Sequence, residues 1–151
     1  MWLLAILTTL PGECQIEPIN GTVVFPSGTT LNTNGFNNCT ALVTITFENN
    51  ITNVPLGAFK DCTNLISVES LTTATEIGNS AFSGCTALTT VGSLASATTI
   101  GFHAFRDTNL SNINLASATW IKAVAFYNCK SLTNVGRFAN NAVIENYAFL
   151  D

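Results

Sequence analysis

The sequence predicts a solenoid of about five to six stacked coils, mostly β, each close to 23 residues long, and three observations carry that prediction. Phenylalanines stand at 36, 59, 82, 105, 126 and 149, with gaps of 23, 23, 23, 21 and 23 residues. Other columns keep the same period: Leu31, Val54, Ile77, Ile100, Ile121 and Ile144 lie five residues before each Phe, and Cys39, Cys62, Cys85, Thr108 and Cys129 lie three after it. Composition is the third: 47% hydrophobic and only 9% charged residues, against about 25% charged in an ordinary soluble domain. Self-similarity at one fixed period means identical units that bury a continuous core only by stacking.

In chain order, residues 1–14 read as a secretory leader. The apolar run from Trp2 to Leu10 has the length of an h-region, and Gly12 and Cys14 form a small-x-small pair before Gln15. The run is about half the roughly 20 residues that a membrane-spanning helix needs. Residues 15–151 then form one solenoid domain. Within each coil, a Leu (42, 65, 88, 110, 132) followed three residues on by Ile45, Val68, Val91, Ile113 or Val135 marks a short strand. Strands that recur once per coil stack in parallel about 4.8 Å apart. The Ala-Phe block makes a tight helical turn, with Phe as the largest core piece. Two residues after Phe come Asn38, Asp61, Gly84, Asp107, Asn128 and Asp151, types that tolerate positive φ, so each coil turns there through a left-handed residue. The column Thr29, Thr52, Thr75, Thr98, Thr119 predicts a second short strand bearing a threonine ladder. After Asp151 the next column residue would be a Cys, and no polar cap precedes it. That predicts a piece of a longer array, or an end that pairs with another chain.

The pattern Ile-Gly-x-x-Ala-Phe-x-x-Cys-x-x-Leu-x-x-Val, clearest from Ile77 to Val91, resembles the BspA-like (treponemal-type) leucine-rich repeat, over roughly residues 20–151. The resemblance implies a right-handed leucine-rich-repeat solenoid with a parallel β-sheet on its concave side. Short helical turns and second short strands complete a mostly β relative of the α/β horseshoe. It also implies a secreted or surface-attached protein that adheres to host or matrix proteins. The fourth repeat departs from the pattern. It carries Thr108 in place of Cys and has lost one residue on each side of Ile113, which predicts a local irregularity of the ladder.

The chemistry-bearing residues do not converge. Cys39, Cys62 and Cys85 are equivalent positions in successive coils, pointing the same way, which sets their Cβ atoms farther apart than the roughly 3.8 Å that a disulfide prefers. Free buried thiols acting as small hydrophobes are expected. One column cannot surround a zinc ion, so no metal site is expected. His103, the only histidine, shares a column with Asn34, Gly57, Ser80, Val124 and Tyr147, a slot of variable identity on the surface. Glu48, Glu69, Glu76 and Glu145 fall in four different columns, whereas acid-base catalysis needs paired groups. The sequence predicts no catalytic residues and no cofactor. A net charge of −4 with only five Lys plus Arg excludes a basic nucleic-acid binder.

A partner would meet the outward strand positions: Thr44 and Thr46, Ser67 and Glu69, Thr90 and Gly92, Asn112 and Asn114, then Asn134 and Gly136. Trp120 and Arg137 break their columns with the residue types that anchor interfaces, and they complete the candidate ligand-binding set. Candidate N-glycosylation positions are Asn20, Asn38, Asn50 and Asn109, with Asn38 partly screened by its place before a core Cys. The expected protein is a non-catalytic extracellular or cell-surface adhesion module. Its partner is a host, matrix or surface protein, or else a polysaccharide. The alternative is a structural subunit of a coat or filament that self-associates through the C-terminal coil. A third reading, lattice binding through the threonine column, ranks below both.

Overall fold

The structure is a computed structural model that describes Cys14, residues 20–48 and residues 51–151. The expected leader lies outside the described residues except for Cys14, as does Asn50. Nine short strands occur among the described residues: β1 (Thr22–Phe25), β2 (Thr44–Phe47), β3 (Asn53–Val54), β4 (Ser67–Glu69), β5 (Glu76–Ile77), β6 (Thr90–Val91), β7 (Thr99–Ile100), β8 (Trp120–Ile121) and β9 (Val143–Ile144). They form two parallel sheets, β1-β2-β4-β6 and β3-β5-β7-β8-β9, with successive coils adding one strand at a time to each, the first sheet ending at β6 and the second running on to β9. This is the leucine-rich-repeat solenoid that the repeat predicts.

The first sheet follows from period-two alternation. Val23, Ile45 and Val68 are buried and share one register column with Val91, while Thr22, Thr44, Ser67 and Thr90 form the outward column beside it. Strand β1 was not marked by the 23-residue columns. Its Val23 and Phe25 are off-period, yet both are buried, and Phe25 packs against Phe36 and Phe47 with ring centroids 5.3 and 5.1 Å away.

The second sheet begins one residue after the expected threonine position, and the threonines act as its lead-in. Thr52 O accepts both the Thr75 backbone N–H, at 2.8 Å, and the Thr75 hydroxyl, at 3.0 Å. Thr98 on Thr75 and Thr119 on Thr98 repeat the arrangement. The hydroxyls therefore serve the coil-to-coil ladder, which leaves the lattice-binding idea without its regular outward donors.

No helix occurs among the described residues; the expected helical turn at Ala-Phe is a run of tight turns. From Phe36 to Phe126 each column Phe N–H donates to the Ala carbonyl one coil on, at 2.8 Å for Phe36 to Ala58 and 2.7 Å for Phe126 to Ala148, making a third ladder. The phenylalanine rings stack nearly parallel along it, with centroids 4.9–5.4 Å apart. Asn38, Asp61, Gly84, Asp107 and Asn128 all have positive φ, as their side chains suggest. A second positive-φ column did not announce itself: Asn34, Gly57, Ser80, His103, Val124 and Tyr147. The expected variable surface slot is therefore a conformationally fixed one. In this conformation the N–H faces the next coil, as in Asn34 to Leu56 O at 2.9 Å and Ser80 to Phe102 O at 2.8 Å.

The cysteine expectation needs one correction. Cys62, Cys85 and Cys129 are free and buried, but Cys39 forms a disulfide with Cys14 at a Cα separation of 4.8 Å. Pairing within the column is indeed absent; the partner comes from the segment ahead of the first coil. Each free thiol donates to a Phe carbonyl, with Cys62 on Phe36 O and Cys85 on Phe59 O both at 3.0 Å. Burial thus leaves no unpaired donor there. Its hydrogen bond to Cys62 and then burial push the Cys85 thiol far above its ordinary range, and burial likewise raises Cys129.

Candidate functional site: the outward face of the first sheet

The outward strand positions do share one face. Thr44 and Thr46 of β2 are half-buried, Ser67 donates to Thr44 Oγ1 at 3.3 Å, and Glu69 and Thr90 are exposed. Register pairs Thr46 with Glu69 and Ser67 with Thr90, so these residues form two adjacent columns of short polar side chains.

The face changes at the fourth repeat. Strand β6 is the last of the continuous first sheet, and on this face the next coil meets the following one through an isolated parallel bridge, Asn112 to Asn134. The cause is legible in the spacing. From Val91 the next column member, Ile113, is 22 residues away, and from Leu94 the next, Leu115, is 21 away. Both spans that lead the strand into register are therefore short. The second sheet continues undisturbed, with Thr99 paired to Trp120 and Ile100 to Ile121.

Beyond the break lies a cleft of about 410 Å³, lined by Asn112, Asn114, Asn134 and Arg137 together with Ile113, Ala116 and Gly136. Five of the twelve sequence-nominated positions, Asn112, Asn114, Asn134, Gly136 and Arg137, thus meet in one place. Asn114 Oδ1 accepts the Ala116 N–H at 3.1 Å, and Asn134 Oδ1 accepts the Gly136 N–H at 2.9 Å. Gly136 has φ +69, and a side chain there would press on Asn114 Oδ1 at 3.0 Å, so the glycine keeps the cleft open.

Trp120 does not join this group. It lies on β8 in the second sheet, 46% exposed, with its indole N–H donating to Glu145 Oε1 at 2.6 Å. Glu145 Oε2 accepts the Ala123 N–H at 2.9 Å, and Lys122 Nζ sits 5.0 Å from the Trp120 ring centroid. Trp120 therefore ties one coil to the next. The turn charges form local pairs, Lys60–Asp61 at 3.7 Å and Arg106–Asp107 at 3.0 Å. Asn20, Asn38 and Asn109 are exposed; Asn38 turns outward through its positive φ while Cys39 turns in, so it is less screened than its neighbour suggested.

No group of three or more His, Cys, Asp or Glu residues is placed to hold a metal ion among the described residues. His103 stacks on Phe102 at 3.9 Å, and desolvation followed by the nearby Arg106 guanidinium holds its imidazole below the usual range. No helix in the described residues is long and apolar enough to cross a membrane.

Comparison with known proteins now bears on these coils. A family model described as a BspA type leucine-rich repeat region matches residues 14–133 in six copies. The chain belongs to the BspA-type leucine-rich-repeat family. Among solved structures it is similar to a leucine-rich repeat protein from Bacteroides ovatus, with a TM-score of 0.68 and 21% identity, covering 85% of this chain. The chain spans 38% of the length of that neighbour, and the likeness is one of fold. No curated protein matches the sequence. Leucine-rich-repeat solenoids of this kind are protein-interaction modules and are typically non-catalytic, and BspA-type repeats are often found at surfaces or secreted.

Proposed function

We propose that this BspA-type solenoid is a secreted or cell-surface adhesion module that binds a partner protein through the outward face of its first sheet. The observation that carries this is the pair of polar columns Thr44–Ser67–Thr90 and Thr46–Glu69, held in register on a rigid ladder and continued by the asparagine cleft. The side chains are short and the ladder fixes their backbone, so binding costs little ordering entropy. With one exposed carboxylate in those columns, contact relies on hydrogen bonds and depends weakly on salt. The family's common surface location supports the extracellular assignment.

The test is binding of the full chain to a panel of matrix proteins, plasma proteins and polysaccharides, beside Glu69→Arg and Trp120→Ala. Saturable binding to one protein class, weakened by Glu69→Arg and kept by Trp120→Ala, is the expected result. Equal loss with Trp120→Ala alone would move the site to the second sheet. Absence of panel binding, with self-association that rises with concentration, would replace adhesion by assembly into a coat or filament.

A further inference from the structure

The cleft beyond the sheet break has a chemical polarity of its own. A backbone N–H can only donate, so the side-chain atom that meets it at Asn114 and Asn134 must be the carbonyl oxygen. Both amide nitrogens are thereby turned away from the local backbone, and among the described residues neither has an acceptor. Arg137 stands at the same cleft, exposed, with no carboxylate within ion-pair distance among the described residues. No Asp or Glu lines the space. Three residues with unengaged donor groups, one of them a guanidinium, therefore line an opening of about 410 Å³. Asn112 is arranged the other way: its Nδ2 donates to Ser111 Oγ at 3.2 Å, which leaves its Oδ1 as a free acceptor beside the donors.

We infer that this cleft is a carboxylate-binding pocket for an acidic peptide segment, in which Arg137 and the Asn114 and Asn134 amides hold an Asp or Glu side chain and Asn112 Oδ1 takes a neighbouring peptide N–H. Charge-assisted hydrogen bonds from a guanidinium are the strongest available to a carboxylate. Peptide is favoured over acidic sugar by two features. The lining carries no aromatic side chain on which a pyranose face could rest, and donors with one acceptor beside them match a carboxylate next to an amide. The inference rests on the protein-binding reading above and gives that face a ligand chemistry.

The test uses the full chain and a fluorescent octa-aspartate peptide, with octa-asparagine as the uncharged control, followed by anisotropy at low and high salt. Asn134→Asp and Asn114→Asp are the informative variants, because each keeps the oxygen that caps the turn and replaces the donor by a carboxylate oxygen. Arg137→Gln removes the charge at an exposed position. Thermal unfolding of each variant confirms that the coils are intact. The expected result is saturable binding of octa-aspartate, at least tenfold tighter than octa-asparagine, and weakened at least tenfold by each of the three substitutions. Equal binding of the two peptides, or binding indifferent to Asn134→Asp and Arg137→Gln in folded variants, overturns the inference. So does binding of polygalacturonate through the same donors when octa-aspartate does not bind. If the panel partner above binds while these variants leave it untouched, the adhesion reading stands and this pocket assignment alone fails.

Discussion

Replacing Gly101 by alanine tests how tightly successive coils are stacked. A methyl carbon placed on Gly101 would lie 2.6 Å from Asn79 N, 2.6 Å from Gly78 C and 2.8 Å from Gly78 O, all backbone atoms of the preceding coil. Carbon pairs are comfortable at about 3.5–4.0 Å, so the coils must separate by nearly 1 Å at this point. They are held there by the Gly101 N–H bond to Ile77 O at 2.8 Å, and Gly78 repeats the contact one coil earlier, on Val54 O at 2.6 Å. No rotamer relieves a clash with backbone. Overpacking of this kind costs about 1–3 kcal/mol, and stretching the ladder bond adds about 1 kcal/mol. The smaller entropy of the unfolded alanine chain offsets about 0.4–1 kcal/mol. A net loss of about 2 kcal/mol is expected. At a urea dependence of about 2 kcal/mol per molar, the unfolding midpoint should fall by about 1 M. Ser93→Ala, on the exposed loop after β6, serves as the control and should leave the midpoint unchanged. A Gly101→Ala midpoint indistinguishable from that of the parent would show that the coils have room between them, and would refute the close-stacking account.

Four further outcomes follow. Val124 holds a β-branched side chain at φ +53 where Asn34 and Gly57 stand in other coils, so Val124→Asn should raise stability by about 0.5–1 kcal/mol in urea unfolding. Phe82, fully buried with Phe59 and Phe105 each 5.4 Å away, should cost about 3–5 kcal/mol when changed to Ala, the largest loss of any single column residue. Thiol counting on the unfolded, unreduced full chain should find three reactive cysteines and, after reduction, five; the native chain should react slowly at all three, since they are buried. Because the structure holds the His103 imidazole below its unfolded value, folding favours the neutral form. Its contribution is then complete above about pH 6.5 and declines as pH falls through that range. His103→Asn should flatten the stability slope between pH 7.5 and 5, by a small amount because the ring is half-exposed; an unchanged slope would remove His103 as its source.

The column arithmetic made most of the scaffold legible, and the Cys column shows where it stopped. Equivalence along the period identified the core: Phe, Leu, Ile and Cys at repeating positions are buried wherever a coil lies between two neighbours, while in the last coil Ile144 is exposed and Phe149 half-buried. It could not reveal Cys14 as the partner of Cys39, because Cys14 precedes the repeat and belongs to no column. Nor did side-chain types expose the second left-handed column. Asn34 and Gly57 hint at it, but Ser80 and Val124 take that conformation where the next coil's carbonyl accepts their N–H. For the candidate site, strand alternation placed Thr44, Ser67, Thr90 and the asparagines on one face. Trp120, nominated separately because it breaks its own column, lies apart from that face because the column belongs to the second sheet, where Glu145 and Lys122 engage it.

The repeat period alone was enough to specify a parallel solenoid, its core columns and its neutral polar face. One local pattern repeated in each coil leaves stacking as the only way to bury its apolar side. What the two missing residues around Ile113 would do was settled in three dimensions. The second sheet absorbed the shortening and kept its pairing, while the first sheet broke after β6 and opened a cleft in which Asn112, Asn114, Asn134 and Arg137 meet. A deletion shortens the path between two ladders, and which ladder yields depends on the packing of the whole coil between its neighbours, a property that no single column of residues contains.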